Sequence, residues 1–210
     1  MCSTIVMKRP RQDSPSIERA TKMIRRPIKQ LDSHDYLLKV TKTTAVTNGS
    51  ELKEYFHKHT EEEVEAYGFG ITKAIRSQDI NLLREMHSQG QIFQCSNRFG
   101  ESILHMACRQ GSFEVVKFLV EQAKVSIRIK DDFGKTPLHD AFWTVSPNKK
   151  IVNLLLENCP SLLFVTDVRG HAPLQYARME HHQLWIEFLS ERLSLISKGL
   201  EDIEEAVANK

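Results

Sequence analysis

Asp131-Asp132-Phe133-Gly134-Lys135-Thr136-Pro137-Leu138-His139-Asp140-Ala141 recurs in looser form on either side of itself. Upstream it reads Asn97-Arg98-Phe99-Gly100-Glu101-Ser102-Ile103-Leu104-His105-Met106-Ala107, and downstream Asp167-Val168-Arg169-Gly170-His171-Ala172-Pro173-Leu174-Gln175-Tyr176-Ala177. The glycines stand 34 and 36 residues apart. A fainter copy precedes them: with Ala74 set against Ala107, Ile80, Leu82, Leu83 and Met86 fall on Phe113, Val115, Val116 and Leu119. A period of this length marks a stacked array whose units cannot bury their apolar faces alone.

Each unit follows one physical grammar. A glycine after three turn residues supplies a positive φ. A Thr or Ser hydroxyl then caps a helix whose first turn accepts Pro137 or Pro173, because that N–H is unpaired in any case. Leu and Ala of this first helix face inward. After a break near Gly111, Phe113, Val115, Val116, Phe118 and Leu119 cover one face of a second helix.

At these residues the sequence resembles the ankyrin-repeat family. Thr136 to Ala141 matches the family's TPLHxA signature in full, while Ser102 to Ala107 lacks its Thr and Pro and Ala172 to Ala177 its Thr and His. The resemblance covers residues 64–193 and implies an all-α ankyrin-repeat solenoid of about four units, helix pairs joined by β-turn fingers. It also implies a non-enzymatic chain that binds a protein partner, of unstated identity, through finger tips and the concave face of the first helices. The finger-tip positions are Arg98, Phe99, Glu101, Asp132, Phe133, Lys135, Arg169 and His171; the first-helix positions are Arg109, Gln110, Trp143, Thr144, Met179 and Glu180. Phe99, Phe133 and Trp143 are the natural anchors. The alternative is internal: the two Phe rings stacked between fingers, and Trp143 beneath the Ser146 to Lys150 loop. That loop is two residues longer than its counterparts and is expected to protrude. The apolar stretches Val125 to Ile129 and Leu162 to Val165 suggest regular or well-covered finger strands. Gln94, Arg128 and Phe164 stand where many repeats carry Asn, so asparagine hydroxylation does not carry over.

Outside the array, residues 1–49 read as a disordered basic arm and linker, 50–63 as a short helical lead-in and 194–210 as a C-terminal helix. Ser50 is an expected N-cap, and Thr60 with Glu63 has capping-box spacing. Within the first thirty residues eight basic side chains face two acidic ones, a net +6 against +2 for the whole chain, so the body is slightly acidic. Lys8-Arg9, a twelve-residue spacer and Lys22-Met23-Ile24-Arg25-Arg26 resemble a bipartite nuclear-localisation signal read by an import receptor. A solvated tail, nucleic-acid contact by a transcription-cofactor type of regulator, and an Arg-rich presequence are the competing readings. Leu189, Leu193, Ile196, Leu200, Ile203 and Val207 trace a heptad seam. It either caps the stack or pairs with another helix; capping and a monomer are the expectation, since Gly199 weakens the helix.

The remaining chemistry is sparse. The 210 residues, 40% hydrophobic and 27% charged, hold no run long enough for a membrane span and no apolar stretch of secretory type. Four scattered cysteines read as free thiols in a reducing compartment, nuclear or cytoplasmic. His139 beside Asp140 is half of a dyad, but His in this position is expected to tie neighbouring units together. His105 and Cys108 could face a metal from one helix, yet no second pair stands at zinc spacing. No nucleotide, hydrolase or zincin motif is present, and no cofactor is expected.

Overall fold

The computed structural model describes residues 47–48, 52 and 54–208. The basic arm with Lys8, Arg9, Lys22, Arg25 and Arg26, and the Ser50 cap, lie outside these residues. The first helix, α1 (Glu61–Glu65), opens with the Thr60 capping box: the hydroxyl accepts from the Glu63 N–H and the Glu63 carboxylate from the Thr60 N–H, both at 3.2 Å.

Four units follow. The first is α2 (Phe69–Ser77) with α3 (Ile80–Ser88). The second is α4 (Ile103–Gln110) with α5 (Phe113–Lys117), which runs into a π-turn over Phe118–Gln122. The third is α6 (Pro137–Phe142) with α7 (Lys149–Asn158). In the fourth, single 3-10 turns over Pro173–Tyr176 and Met179–His181 precede α8 (His182–Ser190). Ala74, Leu104, Ala107, Leu138, Ala141, Leu174 and Ala177 are all buried, the inward register expected of the first helices. Among the described residues no helix is long and apolar enough to cross a membrane.

Two local rules make the fingers. Asn97, Asp131 and Asp167 each accept from the backbone N–H two residues on, at 2.9 Å, and again four residues on, at 2.8 to 3.1 Å, so the side chain itself closes the turn. Gly100 and Gly134 then take φ of 75° and 76°, and an added Cβ would lie 3.1 Å from Asp131 Cα and 3.2 Å from Asp167 Cα. Glycine serves twice here, for the turn and for the approach of the next finger. Adjacent fingers are joined by Asp132 N–H to Phe99 O and Val168 N–H to Phe133 O, each 2.9 Å.

The histidines complete the ladder. His105 Nε2–H donates to Lys135 O at 2.9 Å and His139 Nε2–H to His171 O at 3.2 Å, both in the following unit. Their Nδ1 atoms accept from the N-cap backbone N–H groups of Ser102 and Thr136, at 3.2 and 3.0 Å. Burial lowers these imidazoles to about 3 and about 4, so both are neutral in the fold. Cys108, also buried, has its thiol pushed up.

The expected finger strands are corrected. Pro160–Phe164 is a fully buried 3-10 helix, and only Val165–Thr166 (β2) is extended, pairing in parallel with Thr47–Asn48 (β1). Pro160 presets the helical φ at the first position. Val125 to Ile129 forms no strand; it is covered instead by the lead-in, through His57 N–H to Arg128 O at 2.8 Å and the Arg128 guanidinium 4.4 Å over the Tyr55 ring. The extended loop of the third unit ends on Asn148, which caps α7 and donates to Gly111 O at 3.0 Å, while Val145 stands exposed.

The last helix, α9 (Leu193–Ala208), lies on the Pro160–Phe164 turn with Ile196, Gly199 and Ile203 buried. At Gly199 an added Cβ would sit 2.6 Å from the Pro160 carbonyl carbon. Gly199→Ala should gain about 1 kcal/mol of helix propensity and lose more, about 1 to 3 kcal/mol, to the overlap with backbone. A lower urea midpoint is therefore expected, and a higher one would mean that α9 does not seat here. For the histidines, the native pKa values lie below the usual 6.5, so their contribution is complete above pH 6.5 and is lost as pH falls toward about 4 for His139 and about 3 for His105. Replacing both by Gln should flatten the acid side of the stability curve relative to wild type, read as urea midpoints between pH 7 and 4.5.

Candidate partner-binding face

Between the second and third fingers lies a recess of about 370 Å³, lined by Asn97, Phe99, Glu101, Arg109, Asp131, Phe133, Lys135 and Asp140. Its rim is aromatic. Phe99 is 51% exposed and Phe133 58%, and the rings make no mutual stack; Phe99 instead lies beneath the Arg98 guanidinium at 4.7 Å. Trp143, 50% exposed at the end of α6, sits beside the rim, with Lys135 Nζ 5.8 Å from the Phe133 centroid and 6.0 Å from the Trp143 centroid.

The floor is charged, and most of the charge is paired. Arg109 makes an ion pair with Glu101, and Lys135 lies 3.6 Å from Asp131. Asp140 is the exception: it is 2% exposed, and among the described residues no hydrogen bond reaches its carboxylate. Burial pushes its pKa from 3.8 up to about 6, against the pull of Arg109 and Lys135. The residue follows His139 on α6 but does not work with it, since the imidazole is committed to Thr136 and His171.

The other expected contact positions sort by their place in the fingers and first helices. Asp132 and Gln110 are exposed near the recess, and Arg169 and His171 on the fourth finger. Thr144 does not belong to a contact surface: it is buried, and its hydroxyl lies 3.3 Å from Ala141 O and 3.1 Å from Ser146 O, holding the loop. Met179, 85% exposed, and Glu180 fall in a separate turn beyond the first helix of their unit, because that helix is a single turn. Ala172 there has no hydroxyl to cap with, and Gln175 Oε1 takes the Ala172 N–H at 2.7 Å in place of a histidine. The sequence pattern does not single out Asp140 or the turn-closing Asn97 and Asp131 as part of this face. The signature leaves the position after His open, so only the two fingers around it reveal what Asp140 faces.

Residues 71–163 match the family model for ankyrin repeats in three copies. The chain carries an ankyrin-repeat domain. The fourth unit lies beyond the matched residues. Over 125 residues the chain is 28% identical to a putative ankyrin repeat protein of Rickettsia bellii, a match covering 59% of this chain and 67% of that protein. It is also similar to SMC5-SMC6 complex localization factor protein 1 of Homo sapiens, 34% identical over 43% of this chain, and to diacylglycerol kinase iota of Rattus norvegicus, 26% identical over 75% of it. The matched stretches span only 8% and 15% of those two proteins, so the likeness is to part of each.

The ankyrin array bears a cost at Asp140. A carboxyl group whose native pKa is raised favours the fold at low pH and penalises it once ionised, so the penalty is complete above pH 6 and absent below the unfolded value near 3.8. Asp140→Asn should therefore stabilise the domain at pH 7, by up to about 3 kcal/mol, with the gain vanishing near pH 4. Paired thermal melts at the two pH values measure this. A destabilised variant at pH 7 would show that the carboxylate is held by bonds within the domain.

Proposed function

We propose that this chain is a non-enzymatic recognition module, an adaptor that holds a protein partner on the faces of its second and third fingers and the adjoining end of α6. The observation that carries this reading is the clustering of Phe99, Phe133 and Trp143, each at least half exposed, around one recess. Large aromatic side chains left in water at one place are what interface hot spots are built from. Both Phe residues sit on turns closed by Asn97 or Asp131, so they are presented rigidly and lose little entropy on binding. Ankyrin repeats generally mediate protein-protein contact, which supports the same reading.

Three groups that the sequence offers as catalytic candidates have structural roles. The two first-helix histidines are neutral and spend both nitrogens on the stack, and Cys95, whose thiol is pushed up to about 12 by burial, is inert as a nucleophile. Affinity capture from native extract with the full chain, set against the Phe99→Ala, Phe133→Ala and Trp143→Ala triple variant, tests the proposal. With helical content unchanged, the variant is expected to lose at least one specific partner. Identical capture profiles would move the binding surface elsewhere on the protein.

A further inference from the structure

The recess between the second and third fingers is chemically more specific than exposure alone would make it. Three carboxylates, Glu101, Asp131 and Asp140, line it against two cations, Arg109 and Lys135. Four of these five charges cancel in pairs, Arg109 with Glu101 and Lys135 with Asp131. One buried carboxylate is left over, opening into a space walled by two phenyl rings. A buried, ionised group without an internal partner is costly, and a fold retains it at little benefit unless something outside completes it.

We propose that the recess is the socket for a single arginine side chain of the partner protein, its guanidinium on Asp140 and its plane against the Phe99 and Phe133 rings. This inference rests on the recognition-module reading and names the chemistry of its central contact. Arginine fits on three counts. Its planar fork delivers two parallel N–H bonds to one carboxylate. Its flat cation stacks on aromatic faces, and the Phe99 ring already holds the guanidinium of Arg98 in this manner. Its charge balances the one unmatched charge of the floor, whereas an acidic side chain would have to displace Glu101 or Asp131 to reach a free cation. The raised acid–base midpoint of Asp140 agrees with a carboxylate that lacks such a bond within the domain. Arg109, Lys135 and Asp131 bear on the same carboxylate, with Glu101 beside Arg109, so occupancy should decline as pH falls through the midpoint of Asp140 while the two paired cations stay charged.

The test uses the full chain and three short probes, acetyl-Gly-Arg-Gly-amide and its citrulline and glutamate counterparts, titrated at millimolar concentration and followed by amide chemical shifts. The arginine probe is expected to shift Phe99, Phe133, Gly134 and Asp140. Citrulline, the same shape without charge, should bind about tenfold or more weakly, and the arginine response should fade from pH 7.5 to pH 5. Asp140→Asn should abolish the response in a variant that melts no lower than wild type; the probe series on the unaltered chain stands even if that variant fails to fold. Equal binding of citrulline, preference for glutamate, shifts mapping outside the recess, or no shift at all would each overturn the socket. Loss of partner capture by the triple-Ala variant combined with no arginine response would leave the recognition module standing and remove only the arginine socket. Unchanged capture with a clear arginine response would do the reverse.

Discussion

The hydrogen bond from His105 Nε2 to the Lys135 carbonyl, repeated from His139 to His171, is the contact on which the array depends. It joins the start of one first helix to the finger of the next unit, and the same ring organises its own helix cap through Nδ1. One neutral side chain thus sets local and inter-unit geometry together. The backbone bonds from Asp132 to Phe99 and from Val168 to Phe133 run alongside it and fix the spacing of the finger tips. Everything displayed on those tips inherits its position from this ladder.

The ends of the array are handled differently from its middle. At the C-terminal end the fourth unit replaces Thr and His by Ala172 and Gln175, its first helix shrinks to a single turn, and the ladder stops. Closure falls to α9, which turns its buried residues onto the Pro160–Phe164 turn and depends on Gly199 for contact with the Pro160 backbone. The lead-in lies along the connections between units: Tyr55 to His57 cover the Val125 to Ile129 stretch between the second and third, and β1 pairs with β2 between the third and fourth, which satisfies backbone that the short fingers leave unpaired. A solenoid exposes its ends by construction, and here α9 covers the C-terminal one.

The electrostatics of the binding face follow from packing. Asp131 closes its finger by accepting two backbone N–H groups and lies beside Lys135 at the same time, so turn chemistry and charge pairing share one residue. Arg109, at the end of the neighbouring first helix, is drawn to Glu101. With both cations engaged, Asp140 is desolvated between two fingers and left without a bond, which is why its titration moves toward neutral pH. The recess therefore combines an aromatic rim with a floor that carries one excess negative charge.

Repeat spacing, the Thr136 to Ala141 signature and the Thr60–Glu63 box were legible in the sequence by themselves, because turn, cap and inward-facing positions are dictated by neighbours a few residues away. The role of the histidines came with the resemblance to the family, while the sequence left Phe99, Phe133 and Trp143 open between exposed and internally packed, and the structure leaves each at least half exposed. Residues 162–165 misled: a short apolar run ending in Val165 reads as strand, but with Pro160 upstream and α9 packed on it most of the run is a 3-10 helix. Thr144 looked like a surface residue until the loop folded its hydroxyl inward. Asp140 was visible only as the neighbour of His139, since its place on the binding face lies in what two fingers, separated by one repeat, leave unpaired around it. The sequence by itself determined the units and their order, through local backbone chemistry; only the tertiary structure decided which charges meet and which remains alone, because that balance is struck between residues of different units.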